Sequence, residues 1–262
     1  MMTLGTESLS RILDSMDLDA WQFHPVAEST NDLAMAWARE GAPDGSLVLA
    51  DAQTAGRGRG NRHWVTSPGT GLAMSLVFRL TSEEKPFVSR FTALSALSLV
   101  KALEPYSLEA EVKWPNDILL CGKKVGGVLV EADWLGDEPV GLVVGMGVNV
   151  SAGSVPITPL RYQAVSIEDA LGRQIDRWEL LALILKEMKV TRSILTRGAF
   201  IDLWNAHLAF RDQWIRIKMA GQVEQRVKLL GVTEAGSLII QTEEGKKETV
   251  IDGEIVMTAF DV

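Results

Sequence analysis

The sequence predicts an α/β protein that is followed by a small β-barrel. Up to about residue 195, runs with the apolar spacing of a helix alternate with short runs of strand character. After Phe210 the pattern changes, because Ile215, Ile217 and Met219 alternate with charged residues. Glycines then recur at the spacing of turns between short strands, at positions 221, 231, 236, 245 and 253. We therefore predict one domain over residues 1–210 and a second over residues 211–262.

Three segments are predicted to be helical, over residues 29–40, 87–103 and 176–195. The first begins with a hydroxyl residue suited to an N-cap, and Gly41 closes it. In the second, Phe91, Leu94 and Leu97 recur at helical spacing. The third repeats this spacing and therefore presents one apolar face.

Strands are predicted over residues 46–52, 72–79, 110–114, 118–121, 128–132 and 141–150. The fourth and fifth of these runs are separated by a short Gly-Lys-Lys turn at residues 122–124. This spacing predicts a β-hairpin.

Composition excludes several classes of protein. The 262 residues are 47% hydrophobic and 23% charged, which is ordinary for a globular chain. The net charge of −8 argues against general nucleic-acid binding, and the single Cys121 excludes an intrachain disulfide and suits a reducing compartment. Neither a secretory signal nor a membrane-spanning run is recognised in the sequence. We expect a cytoplasmic protein that does not bind membranes.

The segment from Gln53 to Trp64 combines alternating glycines with arginines. Its glycines allow close approach to a ligand, and its guanidinium groups suit carboxylate or phosphate oxygens. The residues concerned are Gly56, Gly58, Gly60, Arg57, Arg59 and Arg62. Such a loop fits a lid that orders when a ligand binds, but a solvated hairpin tip has the same composition. Trp64 is equally suited to anchoring the loop base in the core and to stacking on a purine.

A second polar segment, K-W-P-N-D, occupies residues 113–117 at the end of a predicted strand. The simplest interpretation is a turn, because proline stops ladder pairing and Asn-Asp favours turns. A functional interpretation assigns Lys113 to phosphates, and Asn116 and Asp117 to polar contacts or a magnesium ion. Lys124 follows, although Lys123 and Lys124 also fit two solvated lysines at a hairpin tip. Gly126 and Gly127 weaken a strand, which often marks close approach of a ligand or another backbone.

Three smaller signals remain. Ser29, Thr30 and Asn31 are good helix caps, and they could equally hydrogen-bond a polar ring. The G-M-G-V-N run at residues 145–149 lacks the helix and third glycine of a dinucleotide fingerprint, so we reject that interpretation. The three histidines and one cysteine form no metal-ligand spacing.

Taken in order, these motifs resemble those of the biotin protein ligases. The matching segments are S-T-N at 29–31, Q-T-A-G-R-G-R at 53–59, K-W-P-N-D at 113–117, K-V-G-G-V-L-V-E at 124–131 and G-M-G-V-N at 145–149. The resemblance covers the chain from about Trp21 onwards. It implies a mixed-sheet catalytic domain related to class II aminoacyl-tRNA synthetases, with an SH3-like barrel after it. It also implies that biotin is first activated by Mg·ATP as biotinyl-5′-AMP and is then transferred to a lysine.

The resemblance further implies roles for individual residues. Lys124, Arg59 and Arg57 would be catalytic. The biotin site would comprise Ser29, Thr30, Asn31, Gln53, Gly56, Arg57, Gly58, Arg59, Lys124 and Gly127. The ATP site would comprise Arg59, Arg62, Trp64, Lys113, Asn116, Asp117 and Asn149. His63 departs from the family, where lysine often precedes the tryptophan, and this leaves one charge on the nucleotide side in doubt. The ligands of the magnesium ion are left open.

The family also suggests partners. The expected acceptor is a biotin carboxyl carrier protein, and the resemblance allows a monomer or a homodimer. Some relatives carry an N-terminal winged helix-turn-helix that binds DNA. Only about twenty residues precede the predicted catalytic domain here, and we therefore expect no DNA binding.

Three other functions compete with this one. A lipoate or octanoate ligase shares the fold, but octanoyl transfer through a thioester would need a reactive thiol. Cys121 is the only candidate, and we expect an inert position for it within a strand. A degenerate biotin-binding protein is disfavoured because the set of basic residues is complete. A nucleic-acid-binding barrel is disfavoured because no clear aromatic platform follows Trp214.

Overall fold

The computed structural model describes residues 4–16, 18, 20–136, 138–155, 162–219 and 223–256. Over these residues the first part of the chain forms a seven-stranded mixed sheet, which confirms the predicted fold class. Its strands and a small two-stranded ribbon are β1 (Trp21–Ala27), β2 (Leu47–Gln53), β3 (Arg57–Gly58), β4 (Arg62–His63), β5 (Gly71–Phe78), β6 (Ala110–Lys113), β7 (Asp117–Leu120), β8 (Lys123–Leu135) and β9 (Glu138–Asn149). The sheet order is β1-β2-β5-β9-β8-β7-β6, and β3 pairs with β4 in the ribbon. β1 runs parallel to β2, while the other neighbours in the sheet are antiparallel.

The helices cover both faces of the sheet. They are α1 (Leu4–Asp14), α2 (Thr30–Arg39), α3 (Arg90–Leu103), α4 (Ile167–Leu171), α5 (Arg177–Arg192) and α6 (Gly198–Ala206). α3 begins three residues later than predicted, because Lys85–Phe87 forms a separate 3-10 turn that contains a proline. No helix within the described residues is long and apolar enough to cross a membrane.

Strand alternation divides the core into two layers. Val48, Val77 and Val143 pack against the alanines of α2 on one face of the sheet. Their strand neighbours point to the other face, where α3 and α5 complete the larger core. Among the described residues, α2 is the helix on this face, and the strand surface beyond it contributes to the wall of a cavity.

The C-terminal part forms a second, five-stranded antiparallel sheet, consistent with the predicted SH3-like barrel. Its strands are β10 (Trp214–Met219), β11 (Gln225–Val232), β12 (Leu238–Gln241), β13 (Lys247–Val250) and β14 (Gly253–Val256), in the order β13-β12-β11-β10-β14. α6 ends before residue 210 and β10 begins after it, and the domain limits 1–210 and 211–262 stay a prediction.

The glycines predicted to mark turns have different positions. Gly236 and Gly245 lie in turns with φ of 82° and 83°. Gly231 lies at an irregularity within β11, and Gly253 begins β14. Gly221 lies outside the described residues.

The predicted hairpin is present, but its turn was placed wrongly. Cys121 and Gly122 form the turn, with φ of 52° and 70°, and Lys123 and Lys124 already belong to β8. Cys121 is therefore exposed at a turn and not within a strand, so the argument from its strand position against thioester chemistry was wrong. It does not line the cavity described below.

The second sheet is fixed against the first part of the chain through the turn after β11. Nε1 of Trp114 donates to the carbonyl of Gly236 at 3.0 Å. Nε of Arg90 donates to the carbonyl of Glu234 at 2.8 Å, and Ser89 donates to that of Ala235 at 2.9 Å. In the same sheet β14 lies beside the loop that joins β3 and β4, where Arg59 donates to the carbonyl of Gly253.

Candidate active site

The floor of a cavity is formed by β9, where two glycines leave space above the strand. Gly145 and Gly147 follow Val143 on the face that carries α2. A Cβ atom on Gly145 would overlap the amide of Asn31, and one on Gly147 would overlap the indole of Trp64. The G-M-G run therefore serves close packing of two cavity residues against the strand, in keeping with our rejection of a dinucleotide fingerprint.

Uncharged polar groups line one end of the cavity. The main-chain N–H of Thr30 donates to Oε1 of Gln53 at 2.8 Å, and its hydroxyl donates to the same atom at 3.1 Å. Oγ of Ser75 donates to Oδ1 of Asn31 at 2.6 Å. Ser29 occupies the N-cap of α2 but makes no side-chain cap among the described residues. Gln53 instead satisfies the first N–H of the helix, and this end suits a neutral group that both donates and accepts hydrogen bonds.

The opposite end contains a carboxylate between two ammonium groups. Oδ1 of Asp117 lies 2.5 Å from Nζ of Lys124, and Oδ2 lies 3.4 Å from Nζ of Lys113. The side chain of Lys113 is 1% exposed, and its ammonium lies 4.6 Å from the ring centroid of Tyr162. Lys124 is more accessible, at 26%. The cluster has a net charge of +1, with Lys124 as the cation that reaches the cavity.

Burial and the neighbouring charges shift the pKa values of this cluster in opposite directions. Burial raises the pKa of Asp117, but the ammonium groups of Lys124 and Lys113 outweigh it and hold that pKa below its ordinary value. Burial lowers the pKa of Lys113, and the charge of Asp117 offsets part of this effect. Asp117 is therefore ionised at neutral pH.

The Gly-Arg loop closes one side of the cavity, and its basic side chains are held by carboxylates. Arg57 donates to Oδ2 of Asp32 at 2.6 Å and to Glu131 at 3.0 Å. Arg59 forms an ion pair with Asp252 and donates to the carbonyl of Gly253 at 3.0 Å.

Beyond Arg59, the loop turns through Gly60, which has φ of 68°, and continues into β4. Nη1 of Arg62 donates to Oε1 of Glu254 at 3.0 Å. The same oxygen accepts from the hydroxyl of Tyr162 at 3.1 Å. The second sheet therefore supplies the partners of two of the three loop arginines.

Trp64 ends the loop and lies against the floor. Its main-chain N–H donates to the carbonyl of Gly56 at 2.8 Å, which fixes the base of the loop. Its indole packs on Gly147, and Nζ of Lys124 lies 5.6 Å from the ring centroid. Anchoring of the loop and a flat surface for a ligand are therefore compatible roles for this residue.

Most of the predicted site residues meet in this cavity. Those that line it are Ser29, Thr30, Asn31, Gln53, Arg57, Gly58, Arg59, Arg62, Trp64, Asn116, Asp117, Lys124 and Gly127. Gly56, Lys113 and Asn149 do not contribute to its wall. Nδ2 of Asn116 donates to the carbonyl of Val128 at 2.8 Å, so this side chain also holds the K-W-P-N-D turn against β8. His63, where the family often has lysine, is part of the wall and exposed.

Sequence reasoning missed the acidic partners and the floor of the site. The missed residues are Asp32, Ser75, Glu131, Gly145, Gly147, Tyr162, Asp252 and Glu254. Two signals were available: Glu131 is charged within an apolar strand, and the two glycines alternate with large apolar residues in β9. The remaining residues carry no local sequence signal that connects them to the loop.

The acidic residues do not form a metal site. Within the part of the chain that the structure describes, no three His, Cys, Asp or Glu side chains are grouped to hold an ion. Asp117 is the carboxylate at the basic end of the cavity, and both of its oxygens already contact lysines.

Comparisons with known proteins identify relatives of this chain. The model of the biotin/lipoate A/B protein ligase family matches residues 23–149. The chain is 33% identical over 233 residues to the bifunctional ligase/repressor BirA of Bacillus subtilis, covering 86% of this chain and 70% of that protein. It is also 33% identical to the biotin–[acetyl-CoA-carboxylase] ligase of Paracoccus denitrificans, covering 84% of this chain and 93% of that protein. The structure of the biotin protein ligase from Aquifex aeolicus in complex with biotin and ATP superposes with a TM-score of 0.76 at 27% identity, covering 91% of this chain and 98% of that one.

Proposed function

The chain belongs to the biotin/lipoate A/B protein ligase family, and from this membership we propose that it uses ATP to attach biotin to a lysine of an acceptor protein. The family model covers both biotin and lipoate ligases. Two findings favour biotin: the Paracoccus relative is a ligase named for biotin, and the Aquifex structure contains biotin and ATP.

The observation that carries the proposal is the division of the cavity into two chemically different ends. Thr30, Asn31 and Gln53 supply neutral donors and acceptors at one end, as a ureido ring requires. Lys124 and Arg59 supply positive charge towards the other end, as a carboxylate that meets a triphosphate requires. Biotin carries the ring and the carboxylate at opposite ends of one molecule, and ATP supplies the triphosphate.

In the proposed first half-reaction, a carboxylate oxygen of biotin attacks the α-phosphorus of ATP. The bond from that phosphorus to the leaving pyrophosphate breaks, and biotinyl-5′-AMP is formed. The barrier arises largely from repulsion between anions, and fixed positive charge lowers it. We assign this task to Lys124, which Asp117 holds in place, and to Arg59, which must leave Asp252 to reach a phosphate.

In the proposed second half-reaction, the neutral amine of an acceptor lysine attacks the carbonyl carbon of the mixed anhydride. The bond from that carbon to the phosphate oxygen breaks, AMP leaves, and the new amide nitrogen loses a proton. The anhydride is sensitive to water, so the Gly-Arg loop over the cavity has a protective function. The Paracoccus relative is named for acetyl-CoA carboxylase, which supports a biotin carboxyl carrier domain as the acceptor.

Magnesium is expected to accompany ATP, but the described residues do not build a site for it. Asp117 is engaged by two lysines, and no acidic cluster is available in the described part of the chain. We therefore assign no step to the ion. The cytoplasmic location, the absence of DNA binding and the oligomeric state stay predictions.

Transfer to an acceptor tests this proposal. Purified protein is incubated with ATP, magnesium, biotin and an unmodified biotin carboxyl carrier domain, and the acceptor is weighed by mass spectrometry. We expect one biotin per acceptor, and none on a control acceptor whose target lysine is replaced by arginine. A wild-type acceptor that stays unmodified with biotin but gains lipoate would move the protein to the sister activity.

A further inference from the structure

The guanidinium of Arg57 is held differently from those of the other loop arginines. It donates hydrogen bonds to two carboxylates, both from elements in the first part of the chain. Asp32, in the first turn of α2, accepts at 2.6 Å, and each oxygen of Glu131 in β8 accepts at 3.0 Å. The three residues come from three separate elements. Two negative charges therefore surround one positive charge, and the group has a net charge of −1.

This net negative charge argues against a phosphate-binding role for Arg57. An anion that approached Arg57 would have to displace two carboxylates and would be repelled by both. Lys124 is different, because its single partner Asp117 is shared with Lys113 and the cluster is positive. The chemical step is therefore better served by Lys124 than by Arg57.

Glu131 has a second contact that leads into the cavity. Its Oε2 accepts from Nδ2 of Asn31 at 2.7 Å, while Oδ1 of the same amide accepts from Ser75 at 2.6 Å. The amide also packs directly on Gly145. Glu131 thus fixes which way the Asn31 amide points and, through Arg57, where the first limb of the Gly-Arg loop lies.

We propose that Glu131 and Asp32 are positioning residues for biotin recognition, which act through Asn31 and Arg57 and touch no reacting atom. The inference rests on the proposed function. It assigns Arg57 to anchoring the loop beside the neutral end of the cavity, in place of the catalytic role implied by resemblance. The carboxylates are partly exposed, so the network contributes moderately.

The test compares Glu131→Gln with Asp133→Asn. Asp133 is a well-matched control, because it lies two residues further along β8 and also forms an ion pair. Its partner is Arg39, at 2.7 Å, and among the described residues its hydrogen bond is not to the loop or to Asn31. Biotin affinity is measured by calorimetry, and adenylation is measured in single turnovers at saturating biotin and ATP. We expect Glu131→Gln to weaken biotin binding about tenfold and to change the saturated adenylation rate less than threefold. We expect Asp133→Asn to leave both unchanged.

A second measurement separates this inference from the function on which it rests. Trypsin cleaves after arginine, and cleavage within residues 57–62 of the substrate-free protein reports how firmly the loop is held. We expect Glu131→Gln to accelerate this cleavage at least fivefold over wild type and Asp133→Asn, whether or not the protein adenylates biotin. Unchanged cleavage would overturn the anchoring role even if biotin is adenylated normally. Faster cleavage without any biotin binding would retain the anchor and reject the biotin ligase function.

A double-mutant cycle tests whether the two residues act through one another. Arg57→Gln and Glu131→Gln are measured singly and together for biotin affinity. If Glu131 acts through Arg57, the double variant binds biotin about as weakly as the weaker single variant. Additive losses would overturn the route through Arg57, and with it the anchoring role. An unchanged biotin affinity in Glu131→Gln would overturn the proposal, as would a fall of two orders of magnitude in its saturated adenylation rate.

Discussion

Replacing Asp117 by asparagine removes the negative charge that lies between two lysines at the basic end of the cavity. Lys113 would then be a buried ammonium group, 1% exposed, without its carboxylate partner at 3.4 Å. Unit charges at this separation interact by about 5 kcal/mol at an effective dielectric constant of about 20. The loss of stability has a similar upper limit for a second reason. Lys113 can release its proton instead of remaining charged, and deprotonating a lysine at pH 7 costs about 5 kcal/mol. Asparagine keeps an acceptor oxygen, so we expect the free energy of unfolding to fall by about 3 kcal/mol.

The same substitution predicts a dependence on pH whose sign follows from linkage. Burial already lowers the pKa of Lys113, and loss of Asp117 lowers it further in the folded state. The unfolded chain, with an ordinary lysine pKa, then binds more protons than the folded chain at pH values between the two pKa values. Stability therefore rises with pH in this window, by up to about 1.4 kcal/mol per unit, and the deficit of Asp117→Asn relative to wild type shrinks.

Urea unfolding of wild type and variant at pH 7, 8 and 9 measures both effects. Asp133→Asn is the control, because its ion pair with Arg39 is exposed and we expect a loss below about 1 kcal/mol at every pH. A loss below about 1 kcal/mol for Asp117→Asn would refute the assignment of a buried, mutually dependent cluster. A large deficit that stays constant from pH 7 to 9 would refute the reasoning on Lys113.

Three further predictions follow from the site. Lys124→Ala should slow single-turnover adenylation on the order of 10²-fold while ATP binding changes little; an unchanged rate would remove Lys124 from the chemistry. Gly147→Ala should displace the indole of Trp64. We expect tryptophan fluorescence to shift towards the red and ATP binding, measured by calorimetry, to weaken about tenfold. Wild-type values of both would contradict the packing of the indole on β9. Asp252→Asn should release Arg59 for phosphates and tighten ATP binding two- to fivefold in the same assay; weaker ATP binding would mean that Asp252 supports the nucleotide-bound loop instead.

Much of the fold could be predicted because its signals are local. Strand-like runs located the central strands, helical spacing located α3 and α5, and a cap residue with a closing glycine located α2. β1 gave no such signal, since His24 and Pro25 interrupt a short strand. The position of the hairpin turn was missed because Cys121 adopts a positive φ that its residue type does not favour.

The residues of the candidate site likewise divide into those with a local sequence signal and those without one. The loop, the K-W-P-N-D turn and Lys124 were found because each is a compact motif in sequence. The sequence left open a lid that orders on ligand binding and a solvated hairpin tip, whereas the structure holds the loop with acidic residues 25 to 193 positions away. Such pairs depend on the arrangement of strands in space, and the sequence contains no local pattern that specifies them.

ATP–pyrophosphate exchange is the most direct test of the central claim, that the cavity binds biotin and ATP together and joins them. The purified protein is incubated with ATP, magnesium and labelled pyrophosphate, and biotin, lipoate and octanoate are supplied in turn. The account predicts exchange with biotin alone, abolished or strongly slowed in Lys124→Ala. Exchange with lipoate or octanoate but not biotin, or with none of the three acids, would contradict it.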